Sequence, residues 1–184
     1  MYERDQVASA VQNLVERAID ACKSGNSTLA LPYAGRAASM AEQIMHKQGT
    51  IKAQETYANT LYTLGVALLK ANNTEGASGF LEECLQIRER IDAGLGTTET
   101  KDAVADTCYQ LGMTGDQPNL FRSLRMREEL ADELRTEEAR RELADAYLGI
   151  SELGGTMLYA SDAEMYLYRY LDIQIGRASC RERV

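Results

Sequence analysis

The chain has 184 residues, 45% hydrophobic and 26% charged, which is enough for one ordinary domain or a short repeat array and too apolar for a disordered chain. Its 20 Lys and Arg against 28 Asp and Glu leave a net charge of −8, a field that opposes every phosphate contact and argues against nucleic acid as a partner. Two prolines, no tryptophan and a single histidine offer little for a sheet-and-turn architecture or for histidine chemistry, so an all-α chain is favoured.

The amino terminus, Met1-Tyr2-Glu3-Arg4-Asp5, lacks the basic-then-apolar layout of a secretory signal. No apolar run reaches the roughly eighteen residues of a membrane span. A cytoplasmic protein with no membrane association is the expectation. Residues 4–50 then form the first of four copies of one unit. A shift of 47 lays residues 51–97, the second copy, over them: Leu61 falls on Leu14, Ala77 on Ala30, Phe80 on Tyr33, Ile87 on Met40, Ile91 on Ile44, and Gly96-Thr97 on Gly49-Thr50.

Within the second copy, Leu61, Leu64, Leu68 and Leu69 have the three-and-four spacing of an amphipathic helix over Tyr57 to Ala71. Asn72-Asn73-Thr74 breaks it, with asparagine suited to the left-handed helix end and threonine to capping the next start. A second helix follows from Glu75 to Ala93 on Ala77, Phe80, Leu81, Cys84, Leu85, Ile87 and Ile91. The small residues Gly65 and Ala77 let the two approach closely, so each copy reads as an antiparallel helical hairpin.

In the third copy, residues 98–136, the same shift carries Leu64-Gly65 onto Leu111-Gly112. It then falls to 39, pairing Leu85 with Leu124, Ile91 with Leu130 and Thr97 with Thr136. Eight residues are missing. Matching Gly115 to Gly25 divides them into four from each helix, about one turn apiece. Pro32, Gly79 and Pro118 share one column near the start of the second helix, where unpaired N–H groups make proline cheapest. The fourth copy, residues 137–174, returns to full length, since Ser151 to Leu171 has the separation of Gly65 to Leu85. The final stretch, residues 175–184 (Ile175-Gly176-Arg177-Ala178-Ser179-Cys180-Arg181-Glu182-Arg183-Val184), abandons the pattern. It resembles a translated cloning or adaptor sequence, so a non-native tail on a fragment truncated in its fourth repeat is expected.

These residues resemble the tetratricopeptide repeat family, in a long-period bacterial form like the repeats of kinesin light chains. Leu64-Gly65, Ala77, Phe80-Leu81 and Leu85-Gln86-Ile87-Arg88-Glu89 carry the resemblance in the second copy. Leu111-Gly112 and Leu124-Arg125-Met126-Arg127-Glu128-Glu129-Leu130 carry it in the third, and Arg141-Glu142-Leu143-Ala144-Asp145-Ala146-Tyr147, Ala163 and Leu171-Asp172-Ile173 in the fourth. It covers about residues 8–174. Arg17-Ala18 and Ile150-Ser151 depart from the Leu-Gly pattern, and Leu158 replaces a turn glycine. The resemblance implies a right-handed α-solenoid of about eight helices whose first helices line a concave groove.

It further implies groove positions at Gln12, Val15, Ile19 and Lys23, then Asn59, Tyr62, Val66 and Lys70, then Asp106, Tyr109 and Met113, and finally Asp145, Leu148 and Glu152. Such a lining suits a peptide segment of a protein partner, with Tyr62 and Tyr109 as anchors and Asn59 holding peptide backbone. The expected function is a protein–protein interaction scaffold or adaptor. The alternative is a ligand-responsive regulatory module that senses a short signalling peptide and controls an attached or partner domain.

No enzyme, cofactor or metal is expected. Cys22, Cys84, Cys108 and Cys180 are scattered with no CxxC pair and read as inert thiols. Glu82-Glu83 and Glu128-Glu129 diverge on the helix and read as solvated charge. His46 beside Lys47 reads as a cation meeting a helix end. No glycine pattern cradles phosphate, Gly154-Gly155 included, and the tyrosines at Tyr159, Tyr166, Tyr168 and Tyr170 read as packing.

Overall fold

The computed structural model describes residues 2–152 and 165–173, with side chains from Gln6 onward except those of Ser27 and Glu152. The elements among them are all α-helices: α1 (Tyr2–Lys23), α2 (Ser27–Gln48), α3 (Ile51–Lys70), α4 (Thr74–Leu95), α5 (Thr98–Met113), α6 (Gln117–Leu134), α7 (Glu137–Glu152) and a last stretch, α8, over 165–173. Residues 175–184, Gly154-Gly155, Leu158, Tyr159, Ala163 and Cys180 lie outside the described residues.

Short turns fold the chain back on itself. Three residues separate α1 from α2, α3 from α4 and α5 from α6, and in each turn one residue takes the left-handed conformation: Gly25 at φ 72°, Asn72 at 58° and Gly115 at 113°. The next residue caps the following helix in two of the three turns, with Asn73 accepting from the Gly76 N–H at 3.0 Å and Asp116 from the Asn119 N–H at 3.2 Å. Asn73 therefore takes the capping role expected of Thr74, which is already the first residue of α4. Between hairpins a left-handed residue and a threonine cap recur as Gly49-Thr50, Gly96-Thr97 and Arg135-Thr136. The Thr50 cap starts α3 at Ile51, six residues before the Tyr57 expected from apolar spacing alone.

Helix α3 has 20 residues and α4 has 22, whereas α5 has 16 and α6 has 18. Each helix of the third hairpin is one turn shorter. This explains why the two prolines differ. Pro118 sits in the first turn of α6, where its missing N–H has no intrahelical acceptor to lose. Pro32 is the sixth residue of α2, one turn further in, and there it removes a bond to the Thr28 carbonyl. The expectation that both occupy a donor-free first turn therefore holds for Pro118 and fails for Pro32.

Packing follows the small residues. A Cβ on Gly65 would come within 2.6 Å of Leu81 Cγ, and one on Gly112 within 2.6 Å of Leu120 Cβ. In the first hairpin the same columns hold Ala18 and Ala34, both fully buried, so a larger residue faces a smaller partner. Consecutive hairpins pack α2 on α3, α4 on α5 and α6 on α7, while α1 touches α3 and α3 touches α5. Among the described residues the extensive contacts all join a unit to itself or to the next, which is the architecture of an α-solenoid. One apolar cluster runs from Val11 of α1 to Leu111 of α5, and a second from Leu120 of α6 to Tyr166 of α8.

Candidate functional site

Two adjoining cavities lie between α1 and α3. One, of about 440 Å³, is walled by Ile19, Cys22, Val66 and Ala67, with Tyr62 on its side and Lys23 and Lys70 at its edge. The other, of about 580 Å³, is lined by Val11, Gln12, Val15, Ala41, Ile44, Thr56, Asn59 and Thr60 among others. Ile19 and Thr63 belong to both, so the cavities form one trough along the pair of helices. The trough exists because the first hairpin is built on alanines, Ala18, Ala21, Ala34, Ala37 and Ala41, whose short side chains fill less space between helices.

The eight groove positions expected on α1 and α3 all line this trough. Gln12, Lys23, Asn59 and Lys70 are exposed, Ile19, Tyr62 and Val66 half-buried, and Val15 forms part of the buried floor. Lys23 and Lys70 have no ion-pair partner among the described residues. The positions on later helices do not join the trough. Asp106 pairs with Arg127 of α6. The hydroxyl of Tyr109 packs against Gly149 of α7, where an added Cβ would sit 1.8 Å away. Met113 and Leu148 are half-buried, Asp145 is exposed, and the side chain of Glu152 lies outside the described residues.

Besides Tyr109, the other two groups expected to hold a peptide, Asn59 and Tyr62, also have partners within the fold. Arg88 of α4 donates from Nη2 to Asn59 Oδ1 at 2.9 Å, and from Nη1 to the Ala103 carbonyl at 2.8 Å and Thr107 Oγ1 at 2.9 Å. Its guanidinium also lies 4.5 Å from the centre of the Tyr62 ring, a cation–π distance. Arg127 stands in the same repeat column as Arg88. It pairs with Asp106, the counterpart of Asn59, and reaches Glu142 Oε2 of the next hairpin at 3.7 Å. An arginine from the second helix thus ties its own first helix to the following hairpin, twice. The sequence alone marks these arginines only as part of the strings that carry the repeat resemblance. The signal that could have found them is their shared column, together with the Asn59 and Asp106 column one hairpin arm away.

The acidic pairs are also more than solvated charge. Glu83 accepts from the Tyr57 hydroxyl at 2.6 Å, and Glu128 accepts from the Tyr147 hydroxyl at 2.5 Å and from Arg169 at 3.0 Å. Burial, with the Glu128 bond second, pushes the Tyr147 phenol up to about 12. Tyr166 stacks on Tyr147 at 5.9 Å between ring centres, whereas Tyr168 is 68% exposed and packs on no core. Burial raises the thiols of Cys22, Cys84 and Cys108, the last to about 11, which keeps them protonated and poorly nucleophilic at neutral pH. His46 lies 3.5 Å from Glu42 on an exposed helix end. Among the described residues no group of three His, Cys, Asp or Glu could hold a metal ion, and no helix is long and apolar enough to cross a membrane.

Helical hairpins stacked in a single file define a helical repeat protein. Solved structures agree at the level of fold. The chain is similar to the de novo designed helical repeat protein DHR64, with a TM-score of 0.52 and 20% identity over 97% of this chain and 96% of that one. It is similar to the DHF58 filament at a TM-score of 0.51 and 18% identity, over the same shares of each chain. No protein-family model and no curated protein matches the chain.

Proposed function

We propose that the chain is a protein-interaction module of the tetratricopeptide kind that holds a peptide segment of a partner in the trough between α1 and α3. The observation that carries this reading is the continuity of the two cavities through Ile19 and Thr63, which offers an extended apolar floor along two helices. Apolar walls supply contact area, and the two lysines at one end favour a peptide whose carboxylate, from a side chain or the chain terminus, lies there. The net charge of −8 supports a protein segment rather than nucleic acid as the partner. The trough, rather than the later helices, is the binding surface in this reading, because Asp106, Tyr109, Met113, Asp145 and Leu148 line neither of its cavities.

A displayed library of random peptides tests the reading. Sequences enriched on the wild type should lose at least tenfold in affinity on a Lys23→Glu, Lys70→Glu double variant, whose exposed positions leave the helical circular dichroism unchanged. Enrichment that is absent, or equal on both proteins, overturns it.

A further inference from the structure

The arginine that ties α4 to its neighbours has no counterpart in the first hairpin. Forty-seven positions before Arg88 stands Ala41, buried in the wall of the 580 Å³ cavity. The acceptors that an arginine there would meet are nevertheless present. Gln12 occupies the column of Asn59, Thr56 that of Ala103, and Thr60 that of Thr107, and all three line the same cavity. Their geometry repeats as well: Thr60 Oγ1 donates to the Thr56 carbonyl at 3.0 Å, as Thr107 Oγ1 donates to the Ala103 carbonyl at 2.8 Å beside Arg88. Gln12 donates its amide nitrogen to Glu16 at 3.0 Å, which leaves its amide oxygen to accept.

We infer that this cavity is a receptor for a guanidinium supplied from outside the fold, by an arginine side chain of the bound peptide. The inference rests on the interaction reading and names the chemistry of the segment. Charge agrees with it. No lining residue of the cavity is charged, while Glu16 adjoins Gln12 and offers a carboxylate in reach of the same acceptor cluster. In the third hairpin a carboxylate, Asp106, stands in the Gln12 column and pairs with Arg127. Gln12 and Thr56 are exposed, so a side chain can enter from solvent. A planar fork of five donors matches three acceptors set at different angles, which a lysine ammonium cannot do as well. The end lined by Gln12 and Thr60 would then carry the arginine and the lysine end the peptide's carboxylate.

The test uses the whole chain, N-acetyl-arginine amide as probe, and N-acetyl-citrulline amide and N-acetyl-lysine amide as controls. The arginine probe should shift the backbone amide resonances of Gln12, Ala41 and Thr60 saturably, with citrulline and lysine at least fivefold weaker. Ala41→Arg, which supplies the guanidinium from within, should raise the melting temperature and abolish the shifts. A Gln12→Met, Thr60→Val variant should weaken the probe at least tenfold with an unchanged melting profile. Equal response to the three probes, or undiminished binding by either variant, overturns the inference. Library peptides that bind through the lysine end but show no enrichment of arginine would sink this proposal and leave the interaction reading standing. Arginine-probe binding with no peptide enriched would overturn the interaction reading, and with it the peptide as the source of the guanidinium, while leaving the cavity's guanidinium chemistry standing.

Discussion

Arg135 takes a left-handed conformation, φ 51°, at the column where Gly49 and Gly96 stand at 61° and 60°. A side chain there is held against the Cβ strain that glycine lacks, at a cost of about 1–2 kcal/mol, partly offset by the greater freedom glycine has when unfolded. Arg135→Gly should therefore raise stability by about 0.5–1 kcal/mol in urea titration, and Gly96→Arg should lower it by a similar amount. A neutral Arg135→Gly would show that the Arg135 side chain, which reaches the Asp132 carbonyl at 3.4 Å, compensates fully. Asp102 carries a second strained chemistry. Its Oδ1 is buried without a hydrogen-bond partner, and burial first, then the charge of Asp106, raises its pKa. The folded chain thus binds a proton more readily than the unfolded one, so this group's contribution to stability falls as pH rises from the ordinary carboxylate range through the raised value. Asp102→Asn should raise the melting temperature at pH 7, and the advantage should shrink as the pH is lowered toward about 4. An equal gain at both pH values would assign the effect to packing instead of charge.

Between the two helices of a hairpin, close contacts are made where a glycine faces a leucine. At Gly112 an added Cβ would meet the Cβ of Leu120 at 2.6 Å and its Cα at 2.8 Å, so α5 and α6 must part. At Gly65 the nearest atoms are the Cγ and Cδ2 of Leu81, the end of a side chain that can rotate. Gly112→Ala should cost about 2 kcal/mol and Gly65→Ala about 1, each after the helix-propensity gain of alanine, and thermal denaturation of the two variants checks the order. The reverse order would mean that Leu81 is the more rigid partner. These contacts were legible in the sequence because they obey the repeat: Leu64-Gly65 and Leu111-Gly112 share a column, as do the turn residues Gly25, Asn72 and Gly115. The helix beginning at Ile51 was not legible from apolar spacing, since its first turn is set by the Thr50 cap and not by a hydrophobic stripe. The trough on α1 and α3 lies at the groove positions read from the sequence. What those positions do further along was hidden, because Asn59 and Asp106 are bonded by arginines 29 and 21 residues away in the chain. A spacing rule within one helix cannot show a bond that depends on the partner helix.

Across the molecule, cohesion is uneven. The apolar cluster from α1 to α5 and the one from α6 to α8 divide inside the third hairpin, where the buried polar residues Thr107, Ser123 and Arg127 sit. In a stack whose units contact only their neighbours, stability is a sum of hairpins and interfaces, and a weak interface opens before the rest. Arg88 bonds α3, α4 and α5 together through Asn59, Ala103 and Thr107, alongside the weaker sulfur bonds of Cys84 to Ala58 and Thr107. Arg88→Met keeps much of the aliphatic stem and removes three charge-assisted bonds, so it should cost about 2 kcal/mol. Native-state hydrogen exchange gives the sharper readout. In the wild type the amides of α3 and α4 should exchange through the largest opening and those of α7 through a smaller one. In Arg88→Met the protection of α5 and α6 should fall toward that of α7 while α1 and α2 change little, because the lost bonds join the second hairpin to the third. A uniform fall across every helix would mean that the stack unfolds as one cooperative unit and that Arg88 stabilises the whole of it instead of one interface.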